Sequence, residues 1–519
     1  MSQTATLAPA PMPDKASARV WIAVMGTMLG AFMAVLNIQI TNSSLANIEG
    51  GIGTGADNGA WISTAYLIGE IIVIPLTDYL SRVFSFRLFL MVNAALFLTF
   101  SAACAFAHNL SQMIVLRGFQ GFCGGVMIPM AFTYTLTKLP KTQQPVGMAM
   151  FALTATFAPA IGPTIGGYLT ENYGWEYIFF INLVPGAFML TALFFTLERE
   201  PMNLPLLKEG DWLGIGTMAI GLGNKNDWFG SPFITRTALV AAVFLALFLI
   251  IEFNVKKPAV NLRVLADRNF ALGTVANVMV GFALYGSVFI LPQYLGQVQG
   301  YNSEQIGSVM AWVGLPQLIL IPLVPMLLKR VDARFVVFAG LVIFAISCFM
   351  NTHMSVDYAG DQLFWPNIVR AIGQAVILAP LSGIAMRNIA RADSAAASGI
   401  FNMLRNLGGA VGTAALATIV TKREQFHSNI IGQSVTQFGG AVRERIAVMQ
   451  NYFMQHGIPD MDTAHHQALI YLGNLVKRQA LVMSYSDTFA IIGVMLLIAA
   501  AAVLLTGKGG GGAAPAGAH

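Results

Sequence analysis

The stretch "WISTAYLIGEIIVIPL", residues 61–76, carries one acidic side chain, Glu70, about ten residues from either end of an apolar run. Ser63, Tyr66 and Glu70 recur at i, i+3 and i+7, so a helix places them on one face. An ionised carboxylate in the middle of a bilayer is heavily penalised, and such a group is held neutral unless a cation compensates it. Taking a proton from one side and releasing it to the other is the chemistry this residue type could perform there. A carboxylate paired permanently with Arg117 is the competing structural role. Glu70 is the only acid deep in any apolar run, which makes it the first candidate for proton handling.

Arg117, in "LRGFQGFCGG", lies several residues inside another apolar run. Burying it there costs at least about 2.5–3.5 kcal/mol, so it needs a carboxylate, carbonyls or water, or it snorkels to the headgroups. Gln120 and Gly121 follow one turn later on the same face, and Gly124 and Gly125 allow a second helix to come close. In "APAIGPTIGGYL" (158–169), Pro163 removes a backbone hydrogen bond, while Gly162 and Gly166 form a small-xxx-small contact face. Taken alone, that face fits packing as well as mechanism. In "AFMAVLNIQITNSSLANI" (31–48), Asn37, Thr41 and Ser44 recur at i, i+4 and i+7. They form an uncharged polar stripe expected to face a cavity rather than lipid.

These groups need a membrane scaffold to hold them. The 519 residues are 56% hydrophobic and 10% charged, far from the charged share of about 25% of a soluble domain. Apolar runs of about 20 residues, each able to cross about 30 Å of hydrocarbon, recur near 21–45, 58–80, 87–108, 111–137, 146–170, 175–196, 234–254, 270–293, 304–328, 334–351, 364–389, 395–421 and 485–506. A shorter run, 212–223, offers about 18 Å of helix. Counting it gives fourteen spans and collects Lys and Arg of the short loops, among them Lys15, Arg82, Lys138, Lys329 and Arg387, on one side. By the positive-inside rule both termini are then cytoplasmic. The fold class is an all-α polytopic membrane protein.

The net charge of +5 follows from that loop asymmetry, and nothing points to nucleic acid. Cys104, Cys123 and Cys348 lie in apolar runs without metal-ligand spacing. His465 and His466 are adjacent but lack a carboxylate pattern. No phosphate-cradling loop is present, so no cofactor, metal or ATP is expected. Asp487, in "YSDTF", reads as a helix cap.

The order of motifs is similar to that of a known family. "RGFQG" followed by "GPTIGG", then "WEYIFFINLVPG" and "LPQYLGQVQGY", resembles the major facilitator superfamily, and within it the fourteen-span drug:proton antiporter branch. The resemblance covers nearly all of 20–506. It implies two six-helix bundles, 19–200 and 263–506, between disordered tails at 1–18 and 507–519. A linker, 201–262, would hold two extra helices, the first shortened. Residues 422–483 would form a polar, partly helical segment on the periplasmic face. "VRAIGQAVILAP" (369–380) echoes 116–129 and sets Arg370 opposite Arg117, as an internal repeat requires.

On this resemblance, Gly162, Pro163, Gly166 and Gly167 form the hinge and seal. Asn37, Thr41, Asn42, Tyr66, Gln120, Gln293, Arg370 and Arg405 line the substrate cavity. Asp78, Arg82 and Arg87 belong to the loop after the second span, where "TDYLSRVFSFRLF" keeps the charges of a gating motif and loses its glycines; a charge latch and solvated loop charges are both open. Where relatives carry an aspartate in the first span, this chain has Asn37, which cannot titrate, so proton coupling would pass to Glu70 with Arg117 beside it. The implied activity is proton-coupled export of hydrophobic or amphipathic drugs across a bacterial inner membrane, with no enzymatic reaction. A periplasmic adaptor and an outer-membrane channel are the implied partners. A dedicated exporter of one metabolite or fatty acid shares every motif, and a non-transporting sensor or scaffold is the third reading.

Overall fold

The computed structural model describes residues 15–74, 76–203, 262–389, 393–436, 439–458 and 460–507. The expected extra helices at 212–223 and 234–254 lie outside the described residues, as do most of both tails, so the count of fourteen spans is not decided. All regular structure among the described residues is helical.

Six long helices precede the linker: α1 Ala18–Ser43, α2 Ala56–Val73, α3 Phe86–Cys104, α4 Leu110–Lys138, α5 Gln144–Tyr173 and α6 Tyr177–Thr196. The second half contains α7 Arg268–Gln297, α8 Ser303–Leu328, α9 Ala333–Met350, α10 Gly360–Met386, α11 Ser394–Ser434, α12 Gly440–Gln455 and α13 Met461–Leu504. Ten of these are long and apolar enough to cross a membrane. Their starts are written in the sequence: Asn109 caps α4 through the Gln112 amide, Asp267 caps α7 through Phe270, and Asn302 with Gln305 forms a capping box on α8.

The repeat shows in how each half closes its sixth crossing. Arg87, at the start of α3, donates to the Phe194 and Leu197 carbonyls at the end of α6, and Arg19 donates to Thr196. In the second half, Arg334 at the start of α9 donates to Thr506, and Arg268 donates to Leu505, at the end of α13. Guanidinium groups thus satisfy orphan carbonyls at the negative end of the helix dipole in the same way twice. We call this the near end of the bundle, and the opposite end the far end.

Three expectations need correction. The span at 58–80 is not one helix: α2 stops at Val73, and Thr77–Phe84 forms a separate two-turn helix. Asp78 and Arg82 therefore sit on a helix rather than a loop, since the lost glycines leave eight residues with nothing to interrupt a helix. The turn falls on Ser85, which adopts φ +67° and caps α3 through the Leu88 amide. Next, the spans 395–421 and 485–506 do not mark the ends of their helices. α11 runs 41 residues and α13 runs 44, which is about 60 Å or more each, so both project past the membrane at the far end with α12 beside them. Asp487, finally, is no cap. α13 begins at Met461, and the Asp487 carboxylate, well inside the helix, accepts from Arg423 Nε at 2.6 Å and meets His427 Nε2 at 2.8 Å.

Candidate functional site

The first half converges on Arg117. Its side chain is fully buried and does not reach toward headgroups. Nη1 donates to Asn37 Oδ1 at 2.9 Å and to Gln120 Oε1 at 2.7 Å, and Nε donates to the Ile62 carbonyl at 3.3 Å. The guanidinium also lies over the Tyr66 ring, 4.4 Å from its centroid, an attraction that strengthens away from water. Gln120 Nε2 closes the triangle on Asn37 Oδ1 at 3.2 Å. Asn37, Gln120 and Arg117 thus form one hub joining α1, α2 and α4.

That hub corrects the reading of the polar stripe on α1 as cavity-facing. Thr41 donates to the Asn37 carbonyl at 2.8 Å, and Ser44 accepts from Thr170 on α5 at 2.7 Å. All three stripe residues are buried: Asn37 as the neutral acceptor for Arg117, Thr41 on its own helix and Ser44 against α5. Asn42 accepts from Ser63 on α2. Tyr66 donates to the Ala34 carbonyl at 2.9 Å.

Glu70 is buried from solvent and makes no hydrogen bond to Arg117. Asn406 Nδ2, on α11 of the other half, donates to its Oε2 at 3.1 Å. Tyr285 on α7 donates to Asn406 Oδ1 at 3.3 Å. Both Arg405 and Arg117 act on the carboxylate electrostatically. Close packing sets the depth of Glu70: a β-carbon on Gly69 would sit 2.3 Å from the Gly118 carbonyl, and one on Gly121 would sit 2.0 Å from the Tyr66 carbonyl. Only glycine lets α2 and α4 approach so closely. Asn406 and Tyr285 were missed as site residues. Each is an uncharged polar group in a mostly apolar run, and Asn406 stands directly after Arg405.

The glycines of α5 face two ways. Gly162 and Gly166 lie against α1, where a β-carbon would meet Gln39 Cβ at 2.7 Å and the Ile40 carbonyl at 2.9 Å respectively. Gly167 faces the other half and would meet the Ser303 carbonyl of α8 at 2.0 Å, while Gly307 approaches the Pro163 carbonyl. Thr164 donates to the Gly307 carbonyl at 2.7 Å, and the Ser303 amide donates to Glu171 at 3.0 Å. Despite Pro159 and Pro163, α5 is continuous. The far ends of the halves are joined along this line. At the near end, Thr77, Asp78 and Ser81 share a small cleft with Ala396 and Gly399.

The remaining candidates are dispersed. Asp78 pairs with Arg82 on the same short helix, whereas Arg87 is engaged at the end of α6, so the three form no joint latch. Arg370 is buried over Phe344 with Nε and Nη2 unpaired among the described residues. Gln293 is half-buried on α7, and Arg405 is buried beside Tyr285.

Comparisons with known proteins agree with this architecture. The family described as Major Facilitator Superfamily matches residues 27–413. The chain is 33% identical over 485 residues to the colistin resistance protein EmrB of Acinetobacter baumannii, covering 92% of this chain and 94% of that protein. It is 29% identical to the fatty acid resistance protein FarB of Neisseria gonorrhoeae, over 93% of this chain and 95% of that one. To the multidrug export protein EmrB of Escherichia coli strain K12 it is 28% identical, over 91% and 92%. Among solved structures, the proton:xylose symporter XylE superposes with a TM-score of 0.62 at 13% identity, covering 96% of this chain and 98% of that one. That likeness speaks for the fold.

Proposed function

Because the chain belongs to the major facilitator superfamily, we propose that it exports hydrophobic and amphipathic drugs and toxic compounds across a bacterial inner membrane in exchange for protons. It is a multi-pass membrane transport protein and not an enzyme. The names of its relatives, multidrug export and colistin resistance, support the direction and breadth of transport.

The observation that carries the proton part is Glu70: one carboxylate, fully buried, at the joint between the two halves. Alternating access needs a group whose charge is costly in the closed interior and tolerable when water reaches it from either side. Glu70 meets that need, and Asn37, fixed to Arg117, cannot. In this scheme Arg117 modulates Glu70 through space while holding the first half together. The two halves, 19–200 and 263–506, rock against each other, and Gly162, Pro163, Gly166 and Gly167 of α5 act as hinge and as the seal against α8 when the far end is closed. Substrate passes between α2, α7 and α11, where Gln293 and Arg405 offer polar contacts. The near end is cytoplasmic, as the loop lysines and arginines require. A periplasmic adaptor, leading to an outer-membrane channel, docks on the projecting ends of α11 and α13 with α12. Deleting 440–470 without loss of adaptor association overturns that docking site.

The test of coupling is efflux of ethidium from proteoliposomes under an imposed pH gradient, with and without a protonophore. Glu70→Gln should abolish gradient-driven efflux and leave ethidium binding intact. Full coupled efflux by this variant refutes the proposal.

A further inference from the structure

The hydrogen bond from Asn406 to Glu70 joins residues 336 positions apart, one in each half. Its direction is set by the groups behind it. A phenol hydroxyl has one proton to give, and Tyr285 gives it to Asn406 Oδ1 at 3.3 Å. With its carbonyl engaged, the Asn406 amide turns its N–H group to Glu70 Oε2. Tyr285, Asn406 and Glu70 therefore form one chain of hydrogen bonds ending on a carboxylate, and successive bonds in such a chain polarise one another. The other carboxylate oxygen, Oε1, is buried without a partner among the described residues. It is the atom open to a proton.

We infer that Asn406, oriented by Tyr285, is a positioning residue that binds the charged form of Glu70 to the C-terminal half, so that proton uptake loosens the joint between α2 and α11. The inference rests on the reading of Glu70 as proton carrier. A hydrogen bond to an ionised acceptor is about twice as strong as one to a neutral acceptor, so the same contact holds the halves firmly before protonation and weakly after it. The titratable and charged groups facing Glu70 are Arg405 on α11, Arg117 on α4, Tyr66 on its own helix and Tyr285 on α7. Among the described residues, Asn406 is the one that bonds to it directly across the halves.

The experiment uses the full chain in lipid nanodiscs with distance probes on cysteines introduced at Thr137 and Gly383, exposed positions near the near end of each half. The three native cysteines are buried. Probe distance is followed against pH, and gradient-driven ethidium efflux is measured in parallel. Wild type should show a pH-dependent change in distance, and Glu70→Gln none. In Asn406→Ala the transition should move to higher pH by about one unit, with coupled turnover reduced and ethidium affinity within about twofold of wild type. Tyr285→Phe, which keeps Asn406 but removes the hydroxyl that orients it, should shift the same way by less, and it decides the matter if Asn406→Ala does not fold. Transitions unshifted in both variants, or a wild-type distance indifferent to pH, overturn the inference. If those occur while Glu70→Gln still abolishes coupled efflux, the proposed function stands; if Glu70→Gln exports normally, that function falls as well.

Discussion

Gly167 of α5 lies so close to Ser303 of α8 that a β-carbon on the glycine would fall 2.0 Å from the serine's carbonyl oxygen. The two residues belong to different halves, and the contact is backbone against backbone. Gly162 and Gly166, on the neighbouring face of the same helix, make close contacts within the first half, where a β-carbon would meet Gln39 Cβ at 2.7 Å and Ser43 Oγ at 2.6 Å. One short motif thus serves an internal packing seam and an inter-half seal.

The two faces should respond differently to alanine. Gly167→Ala strains only the state in which the far end is closed, by about 1–3 kcal/mol for an overpacked contact, equivalent to about a 5- to 150-fold shift in population. Efflux should fall by a similar factor while thermal stability in detergent changes little. Gly166→Ala presses on Ile40 and Ser43 in every state, so it should lower the melting temperature by several degrees. Equal effects of both variants on stability would contradict this division.

Thr164→Val removes one hydroxyl from the same seam. The Thr164 hydroxyl donates to the Gly307 carbonyl at 2.7 Å, and valine keeps the shape without the donor. A hydrogen bond of this type is worth about 1 kcal/mol net. The far-open state should gain about fivefold, read as the distance between probes on cysteines introduced at exposed Ala46 and Ser308.

Arg117 is expected to matter chiefly for the integrity of the first half. In Arg117→Met, Asn37 and Gln120 lose the donor they share, and the Ile62 carbonyl loses another. Asn37 Oδ1 keeps its bond from Gln120 Nε2, so the chief loss is at Gln120 Oε1, a buried acceptor left without its main donor; about 1–3 kcal/mol and a lowered melting temperature are expected. Asn37→Asp sets a carboxylate where Arg117 Nη1 already donates at 2.9 Å, and should be at least as stable as wild type. A destabilised Asn37→Asp protein would show that the hub depends on a neutral partner.

Much of this arrangement was legible from local pattern. Apolar runs located the helices, and the cost of a buried arginine called for partners that proved to be Asn37 and Gln120. The α5 motif announced close packing, though not that Gly167 faces the opposite half. Asn406 was beyond reach for a physical reason: its pairing with Glu70 depends on how two bundles meet, and no spacing encodes contacts between halves. The long extensions of α11 and α13 were hidden because they leave the bilayer. Their polar residues ended the apolar runs at 421 and 485 without ending the helices. Asp487 was misread with them, since it marks where two helices are pinned together and neither terminates.

That pin supports a last prediction. Asp487 Oδ2 accepts from Arg423 Nε at 2.6 Å and contacts His427 at 2.8 Å, joining α11 to α13 near the point where both pass beyond the apolar run. Arg423 is 41% exposed and Asp487 34%, so solvent screening keeps the Arg423 pair to about 0.5–1 kcal/mol. Its effect should be local because the apolar core of the second half is far more extensive than this contact. Asp487→Asn should speed amide exchange in 422–434 and 461–484 about three- to fivefold and leave exchange in α7 and α9 unchanged. A double-mutant cycle with Arg423→Gln should return a coupling of about 0.5–1 kcal/mol. A coupling of zero would mean that apolar packing along α11 and α13 holds the projection together unaided.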